Sequence, residues 1–166
     1  MTDLVSLAAA VFATAQAAGP AAPPAAWTLE TPKATPAIFT YAQGGAPIIQ
    51  MTCLPATGQV NFQMSVQKRL ATRKSGLIWT NGLGMPAPWP ASVTLSSGDA
   101  TSTLRGGVDA EPQTGASRAM VEASTQAPLF KVFARTGVMT FRVVGETLSP
   151  IAAKPADVRR FLGVCR

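Results

Sequence analysis

From Val60 to Val66 the chain reads Val-Asn-Phe-Gln-Met-Ser-Val, apolar and polar residues alternating without a break. Successive side chains on a strand point to opposite faces, so this stretch predicts a strand with one buried and one wetted face. Ile48 to Cys53 reads as its neighbour, joined to it through Pro55-Ala56-Thr57-Gly58, residues with turn chemistry. Further strands are predicted at Ala37 to Tyr41, Leu77 to Trp79, Ser92 to Leu95, Ser102 to Arg105, Arg118 to Ala123, Leu129 to Arg135 and Val138 to Val144. The last two flank Thr136-Gly137, which reads as a hairpin turn. Gly44-Gly45, Gly98-Asp99, Gly106-Gly107 and Gly145 punctuate the pattern between strands. Short strands with turns at this spacing predict a mainly β fold, an antiparallel β-sandwich or barrel. In that fold Val60, Phe62, Met64 and Val66 share a buried face with Ile49, Met51, Phe141 and Val143.

Only the tail reads as helix. Pro155 suits a first turn, Asp157 lies in that turn, and Val158, Phe161, Leu162 and Cys165 recur at helical spacing. One short C-terminal helix would lay this stripe on the sheet and turn Arg159 and Arg160 outward.

The first residues follow a different pattern. Leu4 to Ala15 is apolar except at Ser6 and Thr14, and too short to span a bilayer comfortably. The small-x-small sites Ala13-Thr14-Ala15 and Ala15-Gln16-Ala17 follow, then a Pro/Ala stretch from Gly19 to Ala26. That is the order of a secretory signal, so the expectation is a signal peptide at 1–17, an Ala/Pro-rich linker at 18–26 and a single β-rich domain at 27–166. Asp3 stands where such signals carry positive charge, which leaves a retained membrane anchor and an ordinary N-terminal segment as alternatives. The expected compartment is periplasmic or secreted.

Cysteine usage agrees with export. Cys53 and Cys165 are the two cysteines, and neither sits in a C-x-x-C, which excludes a zinc ribbon and a thioredoxin motif. An even count in an exported chain predicts a disulfide, clasping the terminal helix onto an early strand. Two buried thiols are the alternative.

At this point the chain resembles a known group. A leader, a Trp-led first strand, a strand ending in Cys53, and the terminal run Val158 to Arg166 are similar in layout to small exported bacterial envelope domains without an assigned activity. The resemblance covers most of Trp27 to Arg166. It implies an envelope location and carries no catalytic residue across.

Composition narrows the chemistry. There is no histidine, which removes Ser-His and Cys-His nucleophiles and His-ligated metals. Ser65-Val66-Gln67-Lys68 is a literal S-x-x-K, and Arg135-Thr136-Gly137 loosely echoes K-T-G. That chemistry needs Ser and Lys on one side of a helix start, whereas residues three apart on a strand face opposite ways. Asp109 and Glu111 are the closest carboxylate pair, set in the Gly/Pro-rich segment Gly106 to Gly115. Solvated loop charges are the plain reading, and two carboxylates fall short of the six or more oxygens that calcium takes. No metal and no cofactor is expected.

Two segments stand out. Lys68, Arg69, Arg73 and Lys74 form the densest basic cluster, read as a strand end and hairpin tip, in a chain of net charge +6. Trp79 to Pro90 holds Trp79, Met85 and Trp89 among glycines and prolines. It reads either as a stiff contact loop or as a plug over the core. Only a short strand separates the two segments, so they should lie close in space and suit an amphiphile, with Trp89 setting the dwell time.

The sequence therefore predicts a non-enzymatic exported binding or structural protein. Its expected partners are anionic envelope components, lipid headgroups or lipopolysaccharide, or an envelope protein. Nucleic acid is disfavoured, because no aromatics interleave the basic residues. The alternatives are a secreted inhibitor or small-ligand or lipid carrier using the Trp79–Trp89 loop, and a carboxylate-dependent hydrolase using Asp109 or Glu111.

Overall fold

The alternating stretch is a strand at the middle of a sheet, and its pattern sets what surrounds it. The computed structural model describes residues 22–31 and 36–166; the predicted signal at 1–17 and the first part of the 18–26 linker lie outside the described residues. In chain order the strands are β1 (Ala26–Glu30), β2 (Ala37–Gln43), β3 (Ala46–Cys53), β4 (Gln59–Val66), β5 (Arg73–Ser75), β6 (Ile78–Thr80), β7 (Trp89–Ser97), β8 (Ala100–Ala110), β9 (Ser117–Ser124), β10 (Thr140–Val143) and β11 (Glu146–Leu148). Helix α1 spans Pro128–Thr136 and helix α2 spans Pro155–Cys165. Nine strands pair antiparallel in the order β1-β2-β3-β4-β9-β8-β7-β10-β11 and curl into a half-barrel, while β5 and β6 form a separate hairpin.

The inner face is the predicted one. Val60, Phe62, Met64 and Val66 are buried together with Ile49, Met51, Phe141 and Val143. The register sets Met51 and Val121 opposite Phe62 on its two sides, and Met64 opposite Ile49. The Phe62 ring meets Phe141 edge-on at 5.9 Å and stacks on Phe130 at 6.1 Å. A one-residue slip of β4 would turn all four of its apolar side chains to water, so burial fixes the register.

The half-barrel is filled by both helices. Leu129, Phe130 and Phe133 of α1 are buried, as are Val158, Phe161, Leu162 and Cys165 of α2. This corrects the expectation of a strand at Leu129 to Arg135 and a hairpin at Thr136-Gly137. Pro128 is a first-turn proline, and the buried residues fall at i, i+1 and i+4, a helical stripe. Gly137 ends the helix in the left-handed region at φ 69°, its N–H donating to the Phe133 carbonyl at 2.8 Å. Its position is also crowded, since a Cβ there would stand 1.9 Å from the Ala153 carbonyl oxygen.

The end of the chain is fixed twice. Cys53 and Cys165 are disulfide-bonded with Cα atoms 5.4 Å apart, within the range a bridge requires. The Ala56 and Gly58 N–H groups, in the turn between β3 and β4, donate to the Val164 and Cys165 carbonyls at 3.1 and 2.6 Å. Those carbonyls have no partner within the helix, so the predicted turn also serves as its C-terminal cap.

One further expectation changes. Gly106-Gly107 is not a turn but lies inside a single long strand, β8. A Cβ on Gly106 would lie 2.3 Å from the Met120 carbonyl oxygen, so glycine lets β8 close onto β9. Gly44-Gly45, Gly98-Asp99 and Gly145 lie in the β2–β3, β7–β8 and β10–β11 turns as expected.

Candidate functional site

Between β4 and β7 the chain leaves the sheet and builds an arm from Gln67 to Pro88. β5 and β6 pair with Arg73 opposite Thr80, Lys74 opposite Trp79 and Ser75 opposite Ile78. Gly76, at φ 60°, makes the tight turn between them. A second turn follows, closed by Asn81, whose side-chain oxygen accepts the Leu83 and Met85 N–H groups at 3.0 Å each. The chain then runs back beside β6, where the Ala87 N–H donates to the Trp79 carbonyl at 3.1 Å.

The arm is braced by hydrogen bonds at its root and partly packed, with Leu70, Trp79 and Ala87 half-buried against the core. The Glu146 carboxylate accepts the backbone N–H groups of Gln67, at 2.9 Å, and of Lys68. The Ser117 hydroxyl accepts the Leu70 N–H at 3.0 Å, and Ala71 is buried. Trp79 donates its indole N–H to the Pro112 carbonyl at 3.0 Å and lies flush on Gly115. A Cβ on Gly115 would come within 2.9 Å of both the indole and the Arg69 guanidinium. The β8–β9 turn that receives the indole is itself held by Glu111, whose carboxylate accepts the Thr114 N–H and hydroxyl at 2.6 Å each. The Thr114 hydroxyl, then the Thr114 N–H, hold the Glu111 carboxyl below its ordinary value.

The predicted basic residues and the predicted aromatic segment do meet. The Arg69 guanidinium carbon lies 5.1 Å from the centre of the Trp79 ring and the Lys74 ammonium 5.3 Å, both cation–π distances. Lys68, Arg69, Arg73 and Lys74 are all exposed. Lys68 and Arg69 follow the end of β4, Arg73 and Lys74 lie in β5, and the hairpin tip itself is Gly76-Leu77. Met85 is exposed as well.

Trp89 takes the second of the two readings of its segment, a plug over the core, and not the contact role. It is 6% exposed, opens β7 opposite Val108, and donates its indole N–H to the Met85 carbonyl at 2.9 Å. Burial of a ring this size over the core outweighs any contact it could offer from a loop. Apolar exposure on the arm comes instead from Leu77, Ile78, Leu83 and Met85. Seven large hydrophobic side chains are exposed among the described residues, and these are four of them.

The other constellations disperse. Asp109 is not in a loop but in β8, opposite Arg118, and accepts the Ala110 N–H at 2.8 Å. Glu111 is occupied by its turn. Ser65 donates to the Pro47 carbonyl from inside β4, while Lys68 lies beyond the strand end. Two hollows flank Arg118 on the outer face of the sheet, of about 90 and 130 Å³. Both are smaller than the roughly 300 Å³ at which small-molecule sites begin. Among the described residues no three His, Cys, Asp or Glu side chains cluster as a metal site would require.

Sequence reasoning missed the root of the arm. Glu146 is 79 residues from Gln67, and Ser117 is 47 from Leu70, so no local pattern signals either brace. The comparisons with known proteins add no further residues: no family model, curated protein or solved structure matches the chain.

Proposed function

We propose that this is a non-enzymatic binding protein of the cell envelope, exported to an oxidising compartment, whose arm engages an anionic envelope component. One observation carries the reading. The segment from Gln67 to Pro88 holds Lys68, Arg69, Arg73 and Lys74 and no Asp or Glu, and all four cations are exposed, two at the root of the arm and two on its hairpin. The Glu146 carboxylate, which accepts the Gln67 and Lys68 N–H groups, sets one negative charge against the four cations and leaves the arm net positive. The disulfide supports the compartment, since such bonds persist where the surroundings are oxidising.

Binding of this kind is salt-sensitive, because the exposed charges are screened over about 8 Å at physiological ionic strength. The cleanest variant pairs Arg73→Glu with Lys68→Gln, leaving Arg69 and Lys74 on the Trp79 ring. It removes three units of positive charge. At about 1 kcal/mol for each basic residue near an anionic surface, affinity should fall roughly 100-fold. Co-sedimentation with anionic vesicles and with lipopolysaccharide, at two salt concentrations, measures it. Affinity for both unchanged by the double variant would remove the arm from the function.

A further inference from the structure

The arm carries a second kind of chemistry that the charge alone does not use. We propose that its distal turn enters the acyl boundary of an anionic phospholipid bilayer, with Leu77 and Ile78 as the inserted side chains and Arg73 and Lys74 as the collar that holds the phosphates. The proposal rests on the reading above and goes past it: it names the lipid surface, the pose and the inserting residues.

Leu77 is 84% exposed at the turn, and Ile78 beside it is also exposed. Among the described residues nothing crowds this tip: a Cβ added at Gly76 would find no atom within 4 Å. Single exposed leucines are ordinary on protein surfaces, so exposure by itself decides nothing. Placement decides. Arg73 and Ser75 lie on the same side of the hairpin as Ile78, because Ser75 is its direct partner and side chains alternate along β5. Lys74 lies on the other side, with Trp79. The tip is therefore apolar and both faces behind it carry a cation.

The spacing fits the interface of a bilayer. Lys74 and Arg73 pair with Trp79 and Thr80, two and three residues from Leu77 along the returning strand, which at ~3.3 Å per residue sets them about 7–10 Å behind it. Apolar groups of interfacial proteins enter about 5–10 Å into the headgroup and acyl boundary, so long flexible cations at this setback reach the phosphates as the tip enters. A soluble polyanion would use the collar and leave Leu77 and Ile78 in water. A bilayer uses both.

The pose is tip-first. Leu83 is 89% exposed but lies in the turn at the other end of β6. It should stay outside the bilayer when Leu77 is in.

The test uses vesicles of phosphatidylglycerol and phosphatidylcholine, with wild type, Leu77→Asn/Ile78→Asn and Leu83→Asn, each with its thermal midpoint checked. The double variant should partition at least tenfold more weakly, and Leu83→Asn within twofold of wild type. Leu77→Trp should gain fluorescence that lipids brominated on their acyl chains quench, and Leu83→Trp should not. An unchanged partition of the double variant, with salt-sensitive binding intact, overturns insertion and leaves the electrostatic reading standing. Binding of wild type to heparin but not to the vesicles does the same. Equal losses in the Leu77/Ile78 and Leu83 variants overturn the tip-first pose. Binding to neither vesicles nor heparin removes both readings.

Discussion

The half-barrel and the arm are made of the same kinds of residue used in opposite ways. In the half-barrel Phe39, Phe62, Phe130, Phe133, Phe141 and Phe161 are almost wholly buried, and the strands are held by continuous ladders. In the arm Leu77, Ile78, Leu83 and Met85 face water, and attachment depends on buried Ala71, on half-buried Leu70, Trp79 and Ala87, and on a few hydrogen bonds to Glu146, Ser117 and Pro112. Apolar burial in the first sets global stability, while the second, with fewer buried side chains, is expected to open at a lower free energy than the whole. On the function proposed above, the half-barrel is the part that stays folded and the cationic arm is the part that meets a surface.

The largest effect should come from cutting the covalent clasp. The disulfide joins residues 112 apart, and on the chain-entropy model such a loop contributes about 4–5 kcal/mol. Cys165→Ser should lower the thermal midpoint sharply and raise hydrogen exchange first in Val158 to Cys165, while Arg73 and Lys74 keep their affinity for vesicles at temperatures where the body is folded. Phe62→Ala should follow at about 3–5 kcal/mol, because its ring touches both Phe130 and Phe141 and its removal leaves a cavity. Loss of vesicle binding in proportion to either loss of stability would erase the distinction between body and arm.

Gly137→Ala probes the body at one point. The φ of 69° disfavours a side chain, and the new Cβ would meet the Ala153 carbonyl at 1.9 Å, so α1 or the segment before α2 must move. A loss of about 3 kcal/mol by chemical denaturation is expected, combining strained backbone with overpacking. A change within 0.5 kcal/mol, the ordinary surface range, would show that this close approach is not fixed.

The same glycine shows what the sequence made legible and what it did not. Alternation in β4 reads directly as a half-buried strand, because a face buried along seven residues leaves a period of two and nothing else. The stripe of α2 is as plain, and so is its pairing with Cys53. Leu129 to Arg135 was not, since a nine-residue helix gives only one repeat of its stripe and Gly137 serves a helix end as well as a hairpin. Gly106 in β8 misled for a related reason: a glycine needed for close approach to Met120 looks like punctuation. In the candidate site, the four cations and Trp79 were visible as composition, and their nearness followed from the short connection. The segment around Trp89 allowed both a contact loop and a plug, and Val108 across the sheet decides for the plug; the braces of the arm, Glu146 and Ser117, left no local trace.

Trp79→Ala turns the comparison around by striking the arm alone. It removes the hydrogen bond to Pro112 and the surface on which Arg69 and Lys74 rest, together about 1–2 kcal/mol of local stability. Hydrogen exchange across Thr72 to Thr80 should rise while the thermal midpoint of the body moves by a few degrees at most. A global loss as large as that of Phe62→Ala would mean that the arm is part of the core after all.

The smallest effect is a pH dependence confined to the arm's support. The Glu111 carboxyl sits below its ordinary value because Thr114 donates its hydroxyl and its N–H to the ionised form. A depressed folded value means that the stabilisation is fully present above the ordinary value of 4.5 and is lost as pH falls through the folded one. Protonation then frees the 111–115 turn, and with it the Pro112 carbonyl and the Gly115 surface that receive Trp79. Exchange at Thr114 and Ala116, corrected for its intrinsic pH dependence, should rise as pH falls from 4.5 through the lower folded value, followed by exchange in β6. Glu111→Gln should show the loosened turn at neutral pH and no further acid step there. If the acid step persists in that variant, another group holds the turn, and the link from Glu111 to the arm is broken.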